Sequence, residues 1–326
     1  MTSSTLVSAQ DMAEQALSLS KADDCMVVVN ERSETNLRWA SNSLTTNGEM
    51  RSRRVAVVSI VDGGSGAAAG TVSRSGSPDL ADLVAASEHA ARDAGPAEDA
   101  MPLISEATGG GDWSGPAAVT SIGVFSSFAR ELGSAFGEAE AGDRLLFGFA
   151  EHIVESTFLA SSTGLRMRHD QPTGRLELNG KSRDFSRSVW AGAATQDFAD
   201  ISVAALTADL ATKLGWSERR IDLEPGRYET LLPPSTVADL MIYMYYTGQA
   251  RDADEGQTVF SKKGGGNRIG EALTEKPLTM RSDPAAPGLQ AADHLVTTTS
   301  SPYASVFDNG LALPAVDWIR DGVLTN

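Results

Sequence analysis

The feature that most constrains this chain is a rhythm of apolar periodicity that occurs twice. Residues 7–20 set Met12, Ala16, Leu17 and Leu19 near one helical face. Residues 25–30 form a short continuous apolar run, residues 36–40 alternate polar and apolar, and residues 54–61 and 67–72 complete a set of four predicted strands. Asn47-Gly48 predicts a two-residue hairpin, because both residues tolerate positive φ, and Asp62-Gly63-Gly64 a further turn. Leu80, Leu83, Val84, Ala90 and Ala91 then mark a helix, capped by Ser77 or Asp79 and stopped by Gly95-Pro96.

The second block repeats this order. Phe125, Phe128, Leu132 and Phe136 recur at helical spacing. Residues 144–149, 153–159, 164–169 and 175–179 read as strands, with Pro172 and Gly174 in a turn and Val189-Trp190 as a further strand. Residues 201–216 form a helix with Leu206, Leu210 and Leu214 in register. The expected fold class is α+β: two successive helix–antiparallel strands–helix units, a structural duplication, followed by a partial β-rich C-terminal domain. The expected domains are 1–97, 98–222 and 223–326, with the Gly-, Pro-, Asp- and Ser-rich stretch 95–118 as the linker. In the third, residues 226–232 read as a strand entering Pro233-Pro234. A helix capped by Ser235 follows, with Leu240, Met241, Met244 and Tyr245 on its buried side. Past Gly256 the chain turns irregular with short strands, and the run from Trp318 to Asn326 ends without a visible terminal element.

Composition narrows the function. The net charge of −16 over 326 residues disfavours non-specific nucleic-acid binding, which needs cations to displace counterions from phosphates. The densest basic run, Arg51-Ser-Arg53-Arg54, reads as a solvated strand or turn. The lone cysteine, Cys25, cannot form an internal disulfide and opens an apolar run, which predicts a buried structural thiol. The N-terminal stretch lacks the basic and apolar regions of a secretory leader, and no run of about 18 apolar residues exists to cross a membrane. A cytoplasmic protein without membrane or nucleic-acid partners is expected.

No complete catalytic constellation is visible. The four histidines (His89, His152, His169 and His294) are not spaced to share a helical face, so no zinc site is expected within the chain. His152 and Glu155 lie in a strand-like segment, where they would point to opposite faces. Gly63-Gly-Ser65-Gly lacks the last glycine of a nucleophile elbow. Asp252-Ala-Asp254-Glu255-Gly256 has its glycine one position early for a calcium loop. Lys262-Lys-Gly-Gly-Gly-Asn-Arg268 has its lysines before the glycines, the reverse of a phosphate loop. Lys262, Lys263, Gly264, Gly265 and Arg268 are instead the candidates for contact with a peptide or partner.

Several stretches resemble the TldD/TldE family, also called the PmbA family or modulators of DNA gyrase. The stretch from Glu31 to Glu49 resembles its first-domain hairpin, and that from Ser161 to Asp170 its middle-domain strand pair. The run from Gly226 to Pro234 resembles the entry to its third domain. Thr258-Val-Phe-Ser261 and Ser305-Val-Phe-Asp-Asn-Gly310 resemble later landmarks. TldD-type members carry a His-Glu-x-x-x-His helix just before such a Ser-Val-Phe element. The matching stretch here is Met241-Ile-Tyr-Met-Tyr-Tyr246, without His or Glu. The resemblance therefore implies a TldE-type, non-catalytic subunit that acts with a TldD-like catalytic subunit on small or unfolded peptide substrates. Zinc is expected in that partner and no cofactor in this chain. An active metallopeptidase recruiting His294 with Asp252 or Glu255, and a protein-binding modulator of gyrase, are the alternatives. Family members usually run further, so an incomplete third domain that needs a partner for solubility is expected.

Overall fold

The structure is a computed structural model that describes residues 7–64, 66–106, 109–289 and 291–326. Ser65 and residues 1–6, on which parts of the elbow and leader readings rest, lie outside the described residues. The first unit is α1 (Ala9–Leu19), β1 (Asp24–Ala40), β2 (Ser43–Asp62), β3 (Ala67–Ser75) and α2 (Leu80–Asp93). The second is α3 (Ser126–Ala141), β4 (Arg144–Ser161), β5 (Arg166–Ser182), β6 (Ser188–Thr195) and α4 (Val203–Trp216). The class is α+β. Strands β1 and β4 pair antiparallel, so both units join one six-stranded sheet of order β3-β2-β1-β4-β5-β6.

Each unit has three long strands, where four short ones were predicted in the first and five in the second. The two runs in 25–40 are one strand buried in two ways. Val27 and Val29 face α1 and α2, while Met26 and Val28 meet side chains from the later chain on the opposite face. Burial on both faces makes the run continuous. From Ser33 to Trp39 only the helix side is buried, so the pattern alternates.

Asn47-Gly48 is not the hairpin turn. It lies within β2, opposite Leu37 and Asn36. The chain turns instead at Ser41 and Asn42, both left-handed with φ of 49° and 60°. A tertiary anchor decides the register: the Asn42 amide donates to the Arg144 carbonyl at 2.9 Å and accepts from the Leu146 amide at 2.7 Å. Pro172 and Gly174 likewise fall inside β5 rather than in a turn. Pro172 sits where β6 has already ended, so its missing N–H costs no bond on that side.

Four helices cover one face of the sheet. Phe125, Phe128, Leu132, Leu176 and Leu210 fill the core under α3 and α4; Met12, Ala16, Leu83 and Phe158 fill that under α1 and α2. Asp79 caps α2 by accepting from Ala81 and Asp82. The connection between the units is pinned down. Gln10 donates to the Trp113 and Gly115 carbonyls, and the buried Arg168 to those of Asp112 and Pro116. Gly111 donates to the Arg168 carbonyl, covering the part of β5 that extends past β6.

The remaining residues supply α5 (Pro234–Tyr246), α6 (Ala250–Asp254) and a small sheet of β7 (Met280–Ser282), β8 (Val316–Arg320) and β9 (Val323–Leu324). Val306 and Phe307 reach back onto Met26, Val58 and Ile60 on the face of the large sheet opposite α1 to α4. Three expectations need correction here. Residues 226–232 form no strand: no described strand pairs with them, and Leu231 is 98% exposed. Helix α5 has Pro233, not Ser235, at its cap and no buried residue, because only Met241 and Met244 pack partly against a core. The final residues do form an element, the β8–β9 hairpin, which turns at Asp321 and Gly322 with φ of 49° and 82°.

Cys25 is buried at 2% exposure. Burial pushes its thiol up to about 11, with the Glu88 and Asp24 carboxylates adding to the rise against a hydrogen bond from Ser20. The unfolded thiol loses its proton near the ordinary 9.0, so between those values the folded state holds more protons than the unfolded one. The contribution is full below the lower value and is lost as pH rises through the upper. Urea midpoints should therefore fall more steeply over this alkaline window in the parent than in Cys25→Ala. Parallel curves would show that the thiol does not titrate with folding.

Candidate functional site

A concavity lies where α5 and α6 meet the small sheet. Its walls are apolar: Met244, Ala253, Phe260, Met280, Ile319 and Leu324. Tyr245 stands edge-on to Trp318, with ring centroids 5.5 Å apart, and the Trp318 indole N–H donates to Ser282 Oγ at 3.0 Å. Gln249, Asn267 and Asn326 give it a rim of amides. The Asn267 side chain is fixed by Asp254 at 2.8 Å and by the Ile269 amide at 3.1 Å. The cleft encloses about 240 Å³, room for one large apolar side chain or a small apolar ligand. Its described lining residues offer apolar, amide and phenol groups and no acid–base pair.

The glycine-rich loop stands beside this cleft. Lys262 N donates to the Gly266 carbonyl and Gly265 N to that of Lys262. Gly264, Gly265 and Gly266 have φ of 102°, 114° and 79°, a left-handed run that requires glycine. Lys262 and Arg268 both turn onto Glu271, at 3.6 and 2.9 Å. The Arg268 hydrogen bond holds the Glu271 carboxyl below its ordinary value. Lys263 is the candidate cation without an ion pair among the described residues. None of the five candidates lines the cleft; the loop reaches it through Asn267 and Ile269.

The histidines sit apart. His89 pairs with Asp93 on α2, His169 contacts Gln171, and His294 contacts Asp293. His152 is buried on the helix side between Thr120 Oγ1 at 2.6 Å and the Gln196 carbonyl at 2.7 Å, while Glu155 faces the other way and accepts from Asn30. Asp252 and Asp254 lie on helix α6, not in a calcium loop. Among the described residues no three His, Cys, Asp or Glu gather to hold a metal. Residues 241–246 on α5 offer thioether, aliphatic and phenol groups only, a donor set that does not fit zinc. Among the described residues no helix is long and apolar enough to cross a membrane.

Sequence reading missed the cleft. Its lining residues are scattered between Met244 and Asn326, and only folding brings them together.

Residues 225–326 match the family model described as the PmbA/TldA metallopeptidase C-terminal domain. Solved structures of similar fold include TldE from Thermococcus kodakarensis, with a TM-score of 0.71 at 13% identity over 97% of this chain and 68% of that one. A candidate modulator of DNA gyrase from Thermotoga maritima gives 0.71 at 15% identity, covering 97% and 70%. Another from Bacteroides thetaiotaomicron gives 0.72 at 13% identity, covering 98% and 72%. At such identities the likeness is one of fold. No curated protein matches the chain. The family match thus rests on the C-terminal residues 225–326, while nearly the whole chain shares the fold of these solved structures.

Proposed function

We propose that the chain is a TldE-like, non-catalytic subunit of a TldD/TldE-type zinc metallopeptidase that acts on small or unfolded peptides in the cytoplasm. The observation that carries this reading is the chemistry of residues 241–246. They lie on a helix within the matched metallopeptidase domain, yet show no nitrogen or carboxylate ligand. A TldD-like partner would supply the metal and the hydrolytic step. The same helix leaves Leu240, Ile242, Tyr243 and Tyr246 exposed, an apolar surface of the kind that partners cover. The cleft beside it, and the chain's share of a peptide-holding chamber, would be its contribution.

The test is zinc content and peptidase activity of the chain alone and co-purified with a TldD-like partner. Activity with about one zinc is expected only in the complex. Zinc-dependent cleavage by the isolated chain would overturn the reading and direct the search to His152, His169 and His294.

A further inference from the structure

Strand β6 closes the large sheet at one end, and among the described residues no strand lies along its outer edge. It runs Ser-Val-Trp-Ala-Gly-Ala-Ala-Thr, without charge or proline, and pairs with β5 from Ser188 to Thr195 without a bulge. Such an edge is a template for a further strand, and proteins ordinarily blunt it with charges, proline or a bulge. The neighbouring stretch of β5 shows those devices, with Pro172 and the Gly111 bond to Arg168. On β6 the device is one reversible cap: the Lys213 ammonium donates to the Trp190 carbonyl at 3.3 Å while paired with Asp209.

The face beside this edge is aromatic and cationic. Trp190 is 50% exposed, and a Cβ on Gly192 would lie 2.3 Å from its ring, so the indole leans over Gly192. Across the sheet, Phe147, Asn179 and Trp190 stand in one row. The Lys181 ammonium lies 4.9 Å from the Phe147 ring and 5.8 Å from Phe185, with no carboxylate partner among the described residues. Phe185 is 58% exposed and held at φ 60°, a conformation that bulky residues rarely adopt.

The geometry points to β6 as the edge to which an extended peptide adds as a seventh strand. Its backbone would bond the free β6 groups and displace Lys213 from the Trp190 carbonyl. An aromatic or aliphatic side chain would lie on Trp190, and an acidic one near Lys181. Backbone pairing gives affinity without strict sequence preference, and the aromatic face adds the bias. This rests on the reading that the chain handles peptides, but places the contact on this subunit rather than beside the metal.

A fluorescein-labelled acidic decapeptide containing Phe and Val, and the same peptide N-methylated at alternate residues, are titrated against the full chain without partner. The plain peptide should bind and slow amide exchange in residues 188–195. N-methylation should abolish binding, and Trp190→Ala should weaken it about tenfold. Lys213→Ala, which uncaps the edge, should tighten it; circular dichroism and melting check that both variants fold. Equal binding of the methylated peptide, protection at β3 instead, or protection that grows with protein concentration without peptide would each overturn the proposal, the last by revealing a second copy on the edge. Loss of peptide binding at β6 with partner-dependent activity intact removes this inference alone. Binding at β6 without activity in the complex removes the subunit reading instead.

Discussion

Gly70→Ala is expected to lower the unfolding free energy by about 4 kcal/mol, the scale reached when a substitution forces elements apart. Gly70 lies on β3 directly beneath α2. A Cβ there would sit 2.0 Å from the Ala91 nitrogen, 2.5 Å from the Ser87 carbonyl oxygen and 2.6 Å from the Ala90 carbonyl carbon. These are backbone atoms of a helix, so no rotamer change relieves the clash and α2 must lift as a body. Lifting it separates Leu83 and Val84 from Val57, and breaks the buried hydroxyl pair of Ser59 and Ser87 at 2.6 Å. Gly63→Ala is the control: nothing lies within 4 Å of its would-be Cβ, and a change below about 0.5 kcal/mol is expected. Urea unfolding followed by circular dichroism separates the two. Equal midpoints would show that β3 and α2 are not so closely apposed.

Phe307→Ala is expected to cost about 3–5 kcal/mol, the range for emptying a large buried aromatic site. Phe307 is 1% exposed and lies with Val306 against Met26, Val58 and Ile60. It belongs to a short 3-10 turn, Val306–Asp308, whose Ser305 hydroxyl caps the Phe307 amide. Next to it, Asn309 is buried and exchanges two bonds with Thr297, at 2.6 and 2.8 Å. The turn thus anchors the third part of the chain on the sheet face opposite α1 to α4. Its loss should lower stability and also expose residues 291–313 to proteolysis, which Gly70→Ala should do less. Tyr243→Ala, at a side chain 71% exposed, should do neither in the isolated chain. Protease resistance equal to the parent would mean that this anchor does not hold.

Much of the fold was legible because burial writes itself into sequence. The two-sided burial of residues 25–29 gave a continuous apolar run, and the one-sided burial beyond it an alternation. The helices over the sheet carried apolar stripes with caps and stops at their ends, as at Asp79 and Gly95-Pro96. Strand length and turn position were not legible. Asn47-Gly48 has the stronger local turn chemistry, but Asn42 has partners on β4 more than a hundred residues away. In α5 the apolar spacing signalled burial that this chain does not supply. The five loop residues from Lys262 to Arg268 were picked for charge and glycine. Charge pattern alone did not reveal that Glu271 takes up two of those cations.

The pairing of β1 with β4 has a consequence for how the molecule comes into being. From Met26 to Trp39, β1 can bond β2 on one side as soon as that hairpin is synthesised. Its other side waits for β4, which ends at Ser161. Until then the nascent chain carries an unpaired edge that includes Val27, Val28 and Val29, a segment of high strand propensity. Closing this seam spans a large part of the chain and sets a slow, late step, since contacts distant in sequence carry the greatest loop-closure cost. The same seam makes the halves a single cooperative unit, so a ribosome stalled after α2 would hold a polypeptide prone to mispairing and dependent on chaperones.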